Sequence, residues 1–257
     1  MSNSGVTKIK VELGKITILT LCGVNELNIL NSEAIKYLSK QIDILSQNSQ
    51  IEVLIITGQG TKAFCSGADI KELANMDDSL VEDYVRIGTE TYQKIQDFPV
   101  PVIGVINGYA FGAAFELLLA CDIRFMADHT KIGQPAVMHG LIPPFGGTYR
   151  LPKIVGVGKA KEIILSASTM NAEYSQRIGL VNMIYPINQL MDEAIKFAEK
   201  ICSNKTYAVK SAKNLINTRI YDDIDYKLEN QALIDCLKNA ETKKQLMSFF
   251  TKSKLKT

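Results

Sequence analysis

Glu52-Val-Leu-Ile-Ile-Thr-Gly-Gln-Gly60 is the stretch that decides the fold class: a short, continuous apolar run that stops at glycines. That is the pattern of a buried parallel strand entering a loop. Pro101 to Ile106 repeats it and stops at Asn107-Gly108, after a helical stretch from about 79 to 97, and Asp122 to Met126 is expected to repeat it again. Strands alternating with helices call for parallel pairing through right-handed crossovers, so the first 190 residues read as α/β. Upstream, β-branched alternation in residues 7–12 and 15–21 around Gly14 predicts a hairpin. Ser32 is expected to cap a helix ending near Asn48, with Ile35, Leu38, Ile42 and Leu45 at helical spacing.

From about Gln189 the pattern turns helical, over 189–203, 205–217, 222–239 and 241–252. The expected organisation is therefore a core over 1–190 and a helical region over 191–257. Leu228, Ala232, Leu233, Cys236, Leu246, Phe249 and Phe250 are expected to pack on the core or on a neighbouring subunit.

The bulk composition narrows the function. The 257 residues are 46% hydrophobic and 22% charged, ordinary globular usage. A net charge of +2 is too small for the basic footprint of a nucleic-acid-binding protein. Five scattered cysteines (Cys22, Cys65, Cys121, Cys202, Cys236) read as reduced, packed thiols. There is no signal-peptide pattern at the start and no apolar run of membrane-spanning length, so a soluble cytoplasmic protein with no membrane partner is expected.

Three segments carry chemistry. Lys62-Ala-Phe-Cys-Ser-Gly-Ala-Asp-Ile-Lys-Glu72 follows the buried strand, and its small residues Ser66, Gly67 and Ala68 let a ligand reach main-chain N–H groups. Asn107-Gly-Tyr-Ala-Phe-Gly-Ala-Ala-Phe-Glu-Leu-Leu-Leu-Ala-Cys-Asp122 is another strand-to-helix passage, with Gly112, Ala113 and Ala114 at the expected helix start, where N–H groups favour negative charge. Glu116 has Gly112, Ala113, Leu119 and Ala120 as helical neighbours, none able to pair with a carboxylate. Two readings stand: a buried carboxyl with its pKa pushed upward, suited to acid or base work, or a solvated first-turn glutamate favoured by the helix dipole. The third segment, Gly133-Gln-Pro-Ala-Val-Met-His-Gly-Leu-Ile-Pro-Pro-Phe-Gly-Gly-Thr-Tyr-Arg-Leu-Pro152, is rich in Gly and Pro. His129 and His139 lack companions at ligand spacing, so no metal site is expected and neither is assigned a role. Gly156-Val-Gly158-Lys159 lacks the full phosphate-loop pattern and reads as a helix start after a turn; no Gly-x-Ser-x-Gly elbow supports a serine hydrolase. The basic end Lys252-Ser-Lys-Leu-Lys-Thr257 reads as a solvated tail, with a hold on a ligand's phosphates as the alternative.

These three segments, in this order and spacing, resemble the oxyanion-loop, catalytic-helix and acid-loop signatures of the crotonase (enoyl-CoA hydratase/isomerase) superfamily. Asn25-Glu-Leu-Asn-Ile-Leu-Asn31 and Arg177-Ile-Gly-Leu-Val-Asn182 extend the resemblance over nearly the whole chain. The resemblance implies a spiral of ββα units with a helical C-terminal region that builds a homotrimer or a dimer of trimers. It implies an acyl-CoA thioester substrate, with coenzyme A as part of the substrate and no permanently bound cofactor. Ala68 and Ala113 match the two main-chain donors that hold the thioester oxygen, Gly112 before the second would contact the substrate, and Glu116 matches a catalytic glutamate. Ser66 to Lys71, including Asp69 and Ile70, would contact CoA; Glu26 and Leu27 would line its path; Phe249 and Lys252 match a position reached by an adjacent subunit.

One position departs from the family. The second glutamate of its hydratases follows Gln-Pro directly, and here Gln134-Pro135 is followed by Ala136, whose methyl group exchanges no proton. Three readings stay open: an enoyl-CoA hydratase scaffold with its second acid position occupied by alanine, a single-acid double-bond isomerase or decarboxylase using Glu116, and a CoA-thioester-binding protein without chemistry.

Overall fold

A buried strand needs apolar cover on both faces, and β3 (Val53–Gly58) has it: Val53, Leu54, Ile55 and Ile56 are all fully enclosed. Burial of each such side chain stabilises the fold by roughly 1.5–3 kcal/mol. The computed structural model of the protein describes residues 6–220, 233–235, 237–238 and 240–253, without the side chains of 218–220, 241, 245 and 249–253. Among these, β3 is the third strand of a six-stranded sheet in the order β1–β2–β3–β5–β7–β10. β1 (Lys8–Glu12) and β2 (Ile16–Cys22) form the expected antiparallel hairpin. β2, β3, β5 (Val102–Ile106), β7 (Ile123–Ala127) and β10 (Met183–Tyr185) are parallel.

The sheet's faces separate two apolar clusters. On one, Val53, Ile55, Ile103, Val105 and Phe125 pack against Leu190, Ala194 and Ala198 of α8 (Ile187–Cys202). On the other, Leu54, Ile56, Val102 and Ile106 meet α1 (Ser32–Ser46), α3 (Asp78–Gln96) and α4 (Ala113–Ala120). The boundary drawn after residue 190 falls inside α8, whose buried face belongs to the sheet's own core. The cap of α1 also moves by one residue: Asn31, not Ser32, is outside the helix, and its side-chain oxygen accepts from the Ala34 N–H at 2.9 Å. α6 (Val157–Leu165) begins after Gly156, as expected of that string.

A second sheet escaped the sequence reading. It has four strands of three residues, in the order β4 (Ala63–Cys65), β6 (Tyr109–Phe111), β8 (Lys131–Gly133) and β9 (Thr169–Asn171). The first three are mutually parallel, with Cys65 opposite Ala110 and Phe111 opposite Gly133. Each follows a strand of the large sheet, so the chain makes strand, turn, short strand and then a helical turn, three times over. Ser66, Gly112 and Gln134, the first residue after each short strand in the three chemical segments, therefore leave neighbouring strands side by side. Asn107 locks two of these turns, accepting from the Gly58 N–H and donating to the Gly58 and Gly60 carbonyls.

In the C-terminal region α9 (Thr206–Ile220) and α10 (Ala240–Ser253) match expected helices, and Leu233 and Leu246 are buried in the core. Leu228, Ala232 and Cys236 lie outside the described residues, as do the side chains of Phe249, Phe250 and Lys252. Cys22, Cys65, Cys121 and Cys202 form no disulfide, and burial pushes the Cys65 and Cys121 thiols up to about 12, which keeps them protonated. No helix among the described residues is long and apolar enough to cross a membrane.

Candidate active site

The loop after β4 is held from outside. Ser66 N–H donates to the Leu27 carbonyl and the Gly67 carbonyl accepts from Leu30 N–H, both at 2.9 Å. Gly67 has φ 99°, in the left-handed region that favours glycine. A Cβ there would stand 2.6 Å from the Phe111 carbonyl oxygen and 3.7 Å from the Ala113 nitrogen, so the loop lies against the start of α4. Gly112, with φ 57°, precedes that helix, and its own N–H is spent on the Gly133 carbonyl. Ala113 opens α4, so its N–H has no acceptor within the helix. Ala68 and Ala113 thus face one cavity of about 380 Å³, whose wall also includes Ser66, Gly67 and Gly112. Gly67→Ala is expected to cost about 1–3 kcal/mol through the unfavourable φ and the Phe111 clash, and to lower turnover more than substrate affinity. Chemical unfolding together with separate kcat and KM values tests both parts.

Glu116 stands one turn into α4 and is 1% exposed, which decides between its two sequence readings in favour of the buried carboxyl. Its partners come from another segment. The backbone N–H groups of Phe145 and Gly147 both donate to Oε1 at 2.8 Å, so main-chain donors hold one oxygen of the carboxylate that its helical neighbours could not pair. Phe145 anchors that loop: its ring sits 5.3 Å from both Tyr84 and Tyr92 on α3, above Gly88, where a Cβ would collide with it. The fully buried Arg150 donates to the Phe145 carbonyl and to Gln96 Oε1, both at 2.7 Å, which fixes the loop from behind. Tyr92 O–H donates to the Ala113 carbonyl at 2.8 Å. Burial holds the Tyr84 and Tyr92 hydroxyls well above their ordinary pKa, so both remain O–H donors at neutral pH.

Ala136 lies on the wall of the same cavity as Glu116. Gln134 sets its position, donating through Nε2 to the Gly112 carbonyl at 3.5 Å and accepting from the Ala136 N–H at 3.4 Å. The rest of the wall is mostly apolar, with Leu73, Leu141, Ile142, Phe145 and Leu233. An apolar enclosure strengthens the few polar interactions inside it.

The other expected site residues divide. Ile70 is on the wall beside Ala68. Asp69 caps α2 (Ile70–Ala74), accepting from the Lys71 and Glu72 N–H groups, so its placement follows from helix capping. Glu26 accepts from the Thr61 N–H at 3.1 Å and clips that loop, while Leu27 acts through its carbonyl on Ser66; neither forms part of the described cavity wall. Residues the sequence reading missed are Tyr84, Gln134, His139 and Phe145 on the wall, and Asn28 behind it. Asn28 accepts from Gly23 N–H and donates to the carbonyls of Gln59, Ala63 and Phe64. Asn28 lies in the Asn25-to-Asn31 string and Gln134, His139 and Phe145 in the Gly133-to-Pro152 segment, whereas no motif marks Tyr84.

Residues 13–256 match the family model described as enoyl-CoA hydratase/isomerase. The chain is 36% identical over 244 residues to a short-chain-enoyl-CoA hydratase of Clostridium acetobutylicum, covering 94% of each protein. It is 34% identical over 242 residues to a crotonyl-CoA hydratase of Syntrophomonas wolfei, covering 93% of each. A crystal structure of an enoyl-CoA hydratase from Bacillus anthracis superposes with a TM-score of 0.80 at 35% identity, over 89% of this chain and 88% of that one.

Proposed function

This chain belongs to the enoyl-CoA hydratase/isomerase family, within the crotonase superfamily of enzymes, and on that premise we propose that it adds water to a 2-enoyl-CoA thioester using one carboxylate. The thioester oxygen sits between the Ala68 and Ala113 N–H groups. Water adds to the β-carbon as Glu116 takes one of its protons; the double-bond electrons move to the thioester oxygen, and the resulting enolate is held by the two amides. The enolate then collapses, and its α-carbon takes the proton from the Glu116 carboxyl, giving a 3-hydroxyacyl-CoA and restoring the carboxylate. Ala136 takes no part in proton transfer. The observation that carries this reading is the buried Glu116 carboxylate, held by Phe145 and Gly147 N–H groups on the wall that also contains Ala68 and Ala113.

In the same reading Ser66 to Lys71 follow the CoA moiety, Glu26 and Leu27 shape its path from behind, and Phe249 and Lys252 approach from an adjacent copy in a homotrimer or dimer of trimers. The apolar side chains of Tyr207, Leu215 and Ile216 on α9 are exposed, which supports an assembly. CoA enters as part of the substrate.

Ala136 favours a second reading. An enolate can form without water, so double-bond isomerisation of a 3-enoyl-CoA or decarboxylation of a malonyl-type thioester needs only the amide pair and Glu116. Mass spectrometry of purified protein with crotonyl-CoA, a 3-enoyl-CoA and a malonyl-type CoA separates the cases. The expected result is crotonyl-CoA gaining one water with loss of its conjugated absorbance. Conversion of only the other two would replace hydration by the second reading, and binding with every thioester unchanged would leave a CoA-thioester-binding protein.

A further inference from the structure

One histidine of the cavity wall takes no part in the reaction above. His139 lines the same wall as Glu116 and Ala136. It ends the 3-10 turn Ala136–His139, closed by hydrogen bonds from Met138 N–H to the Pro135 carbonyl at 3.0 Å and from Gly140 N–H to the Val137 carbonyl at 3.1 Å. A 3-10 helix has three residues per turn, so residues i and i+3 eclipse and Ala136 and His139 share one face. Met138, two-thirds of a turn on from Ala136, also reaches this wall, whereas Val137 does not. The turn is fixed at both ends, by Gln134 at the Ala136 N–H and by Thr242 of α10, whose hydroxyl donates to the Gly140 carbonyl at 3.1 Å.

We propose that His139 supplies the second polar hold on the attacking water, from the face that Ala136 leaves without a carboxylate. This rests on the hydration reading. A neutral imidazole presents one acceptor nitrogen and one N–H. The acceptor takes the hydrogen bond from the water O–H that does not pass to Glu116, which orients the oxygen lone pair toward the β-carbon. His139 gains and loses no proton in the step; the bonds made and broken remain those at water, Glu116 and the two carbons. Partial burial lowers the His139 pKa, which favours the neutral form needed to accept. The other histidine, His129, lies outside the cavity, 3.6 Å from Asp128, and serves as an internal reference.

The test combines kinetics on crotonyl-CoA with NMR of the two imidazoles during titration with butyryl-CoA, the saturated, unreactive thioester. His139→Leu is expected to lower kcat about tenfold, one hydrogen bond's share, with KM little changed, and His139→Gln to recover most of it because its carbonyl still accepts. In an Ala136→Glu background, where a carboxylate holds the water, His139→Leu is expected to cost less than about threefold. Butyryl-CoA should shift the His139 ring resonances and leave those of His129 in place. Wild-type kcat in His139→Leu, an equal relative loss in both backgrounds, or His139 resonances unmoved by saturating butyryl-CoA would each overturn the role of His139. If wild type hydrates crotonyl-CoA and depends on Glu116, those results leave the hydration reading standing. Absence of both butyryl-CoA binding and hydration removes the two together.

Discussion

Glu116→Gln is expected to lower kcat for crotonyl-CoA hydration by about 10²–10⁴-fold, the usual contribution of a positioned proton-transfer group, with KM changed far less. The amide oxygen of glutamine still accepts from the Phe145 and Gly147 N–H groups, which both bind the same oxygen in the native site. The loop is therefore held, and only the capacity to take and return a proton is lost. Glu116→Ala adds a structural cost. It leaves two buried N–H groups without their acceptor, at about 1–3 kcal/mol each, whereas the glutamine variant loses only the charge-assisted part of two hydrogen bonds. In a chain of this size each kcal/mol moves the unfolding midpoint by about 2–4 °C. Thermal unfolding of the two variants should thus rank alanine well below glutamine while both are nearly inactive. Equal midpoints would mean that the 143–147 loop does not depend on the carboxylate, and wild-type kcat in the glutamine variant would remove Glu116 from the chemistry.

How much of this was legible depends on the range of the interaction involved. β3 and β5 could be read because a strand buried on both faces is a continuous apolar run, a local property. The start of α4 could be read because Gly112, Ala113 and Ala114 are small where a ligand must approach backbone. The second sheet could not, because strands of three residues are too short to show a period, although they align the three chemical segments. Glu116 shows the limit most directly. Its helical neighbours pose the problem of an unpaired carboxylate, but its solution lies 29 and 31 residues away, in amides that any sequence would supply. Their delivery depends on Phe145, Tyr84, Tyr92, Gly88 and Arg150 packing together, which no local pattern announces. His139 has no companions at metal-ligand spacing, and the 3-10 turn that pairs it with position 136 is hidden in a Gly- and Pro-rich segment.

Ala136→Glu is expected to raise kcat for crotonyl-CoA by about 10²-fold, the low end of what a second proton-transfer group contributes. Position 136 begins a 3-10 turn on the cavity wall and is only partly buried, so a longer side chain extends into about 380 Å³ of open space without displacing core. Two carboxyl groups would then face one cavity. Like charges in a weakly solvated site resist joint ionisation, so one carboxyl is favoured in the protonated form while the other stays charged. That supplies an acid for the α-carbon and a base for water at the same moment, where the native site must use Glu116 for both in turn. Ala136→Gln fills the same space without a titrating group and should show little of the gain, which separates proton transfer from packing. The experiment also discriminates between the two reactions. If the glutamate variant hydrates crotonyl-CoA no faster than wild type, while wild type converts a 3-enoyl or malonyl-type thioester, then Ala136 marks a site built for enolate chemistry without water. A large gain instead means that the amide pair, the water position and Glu116 are already arranged for hydration, and that a single methyl group separates this site from a two-carboxylate one.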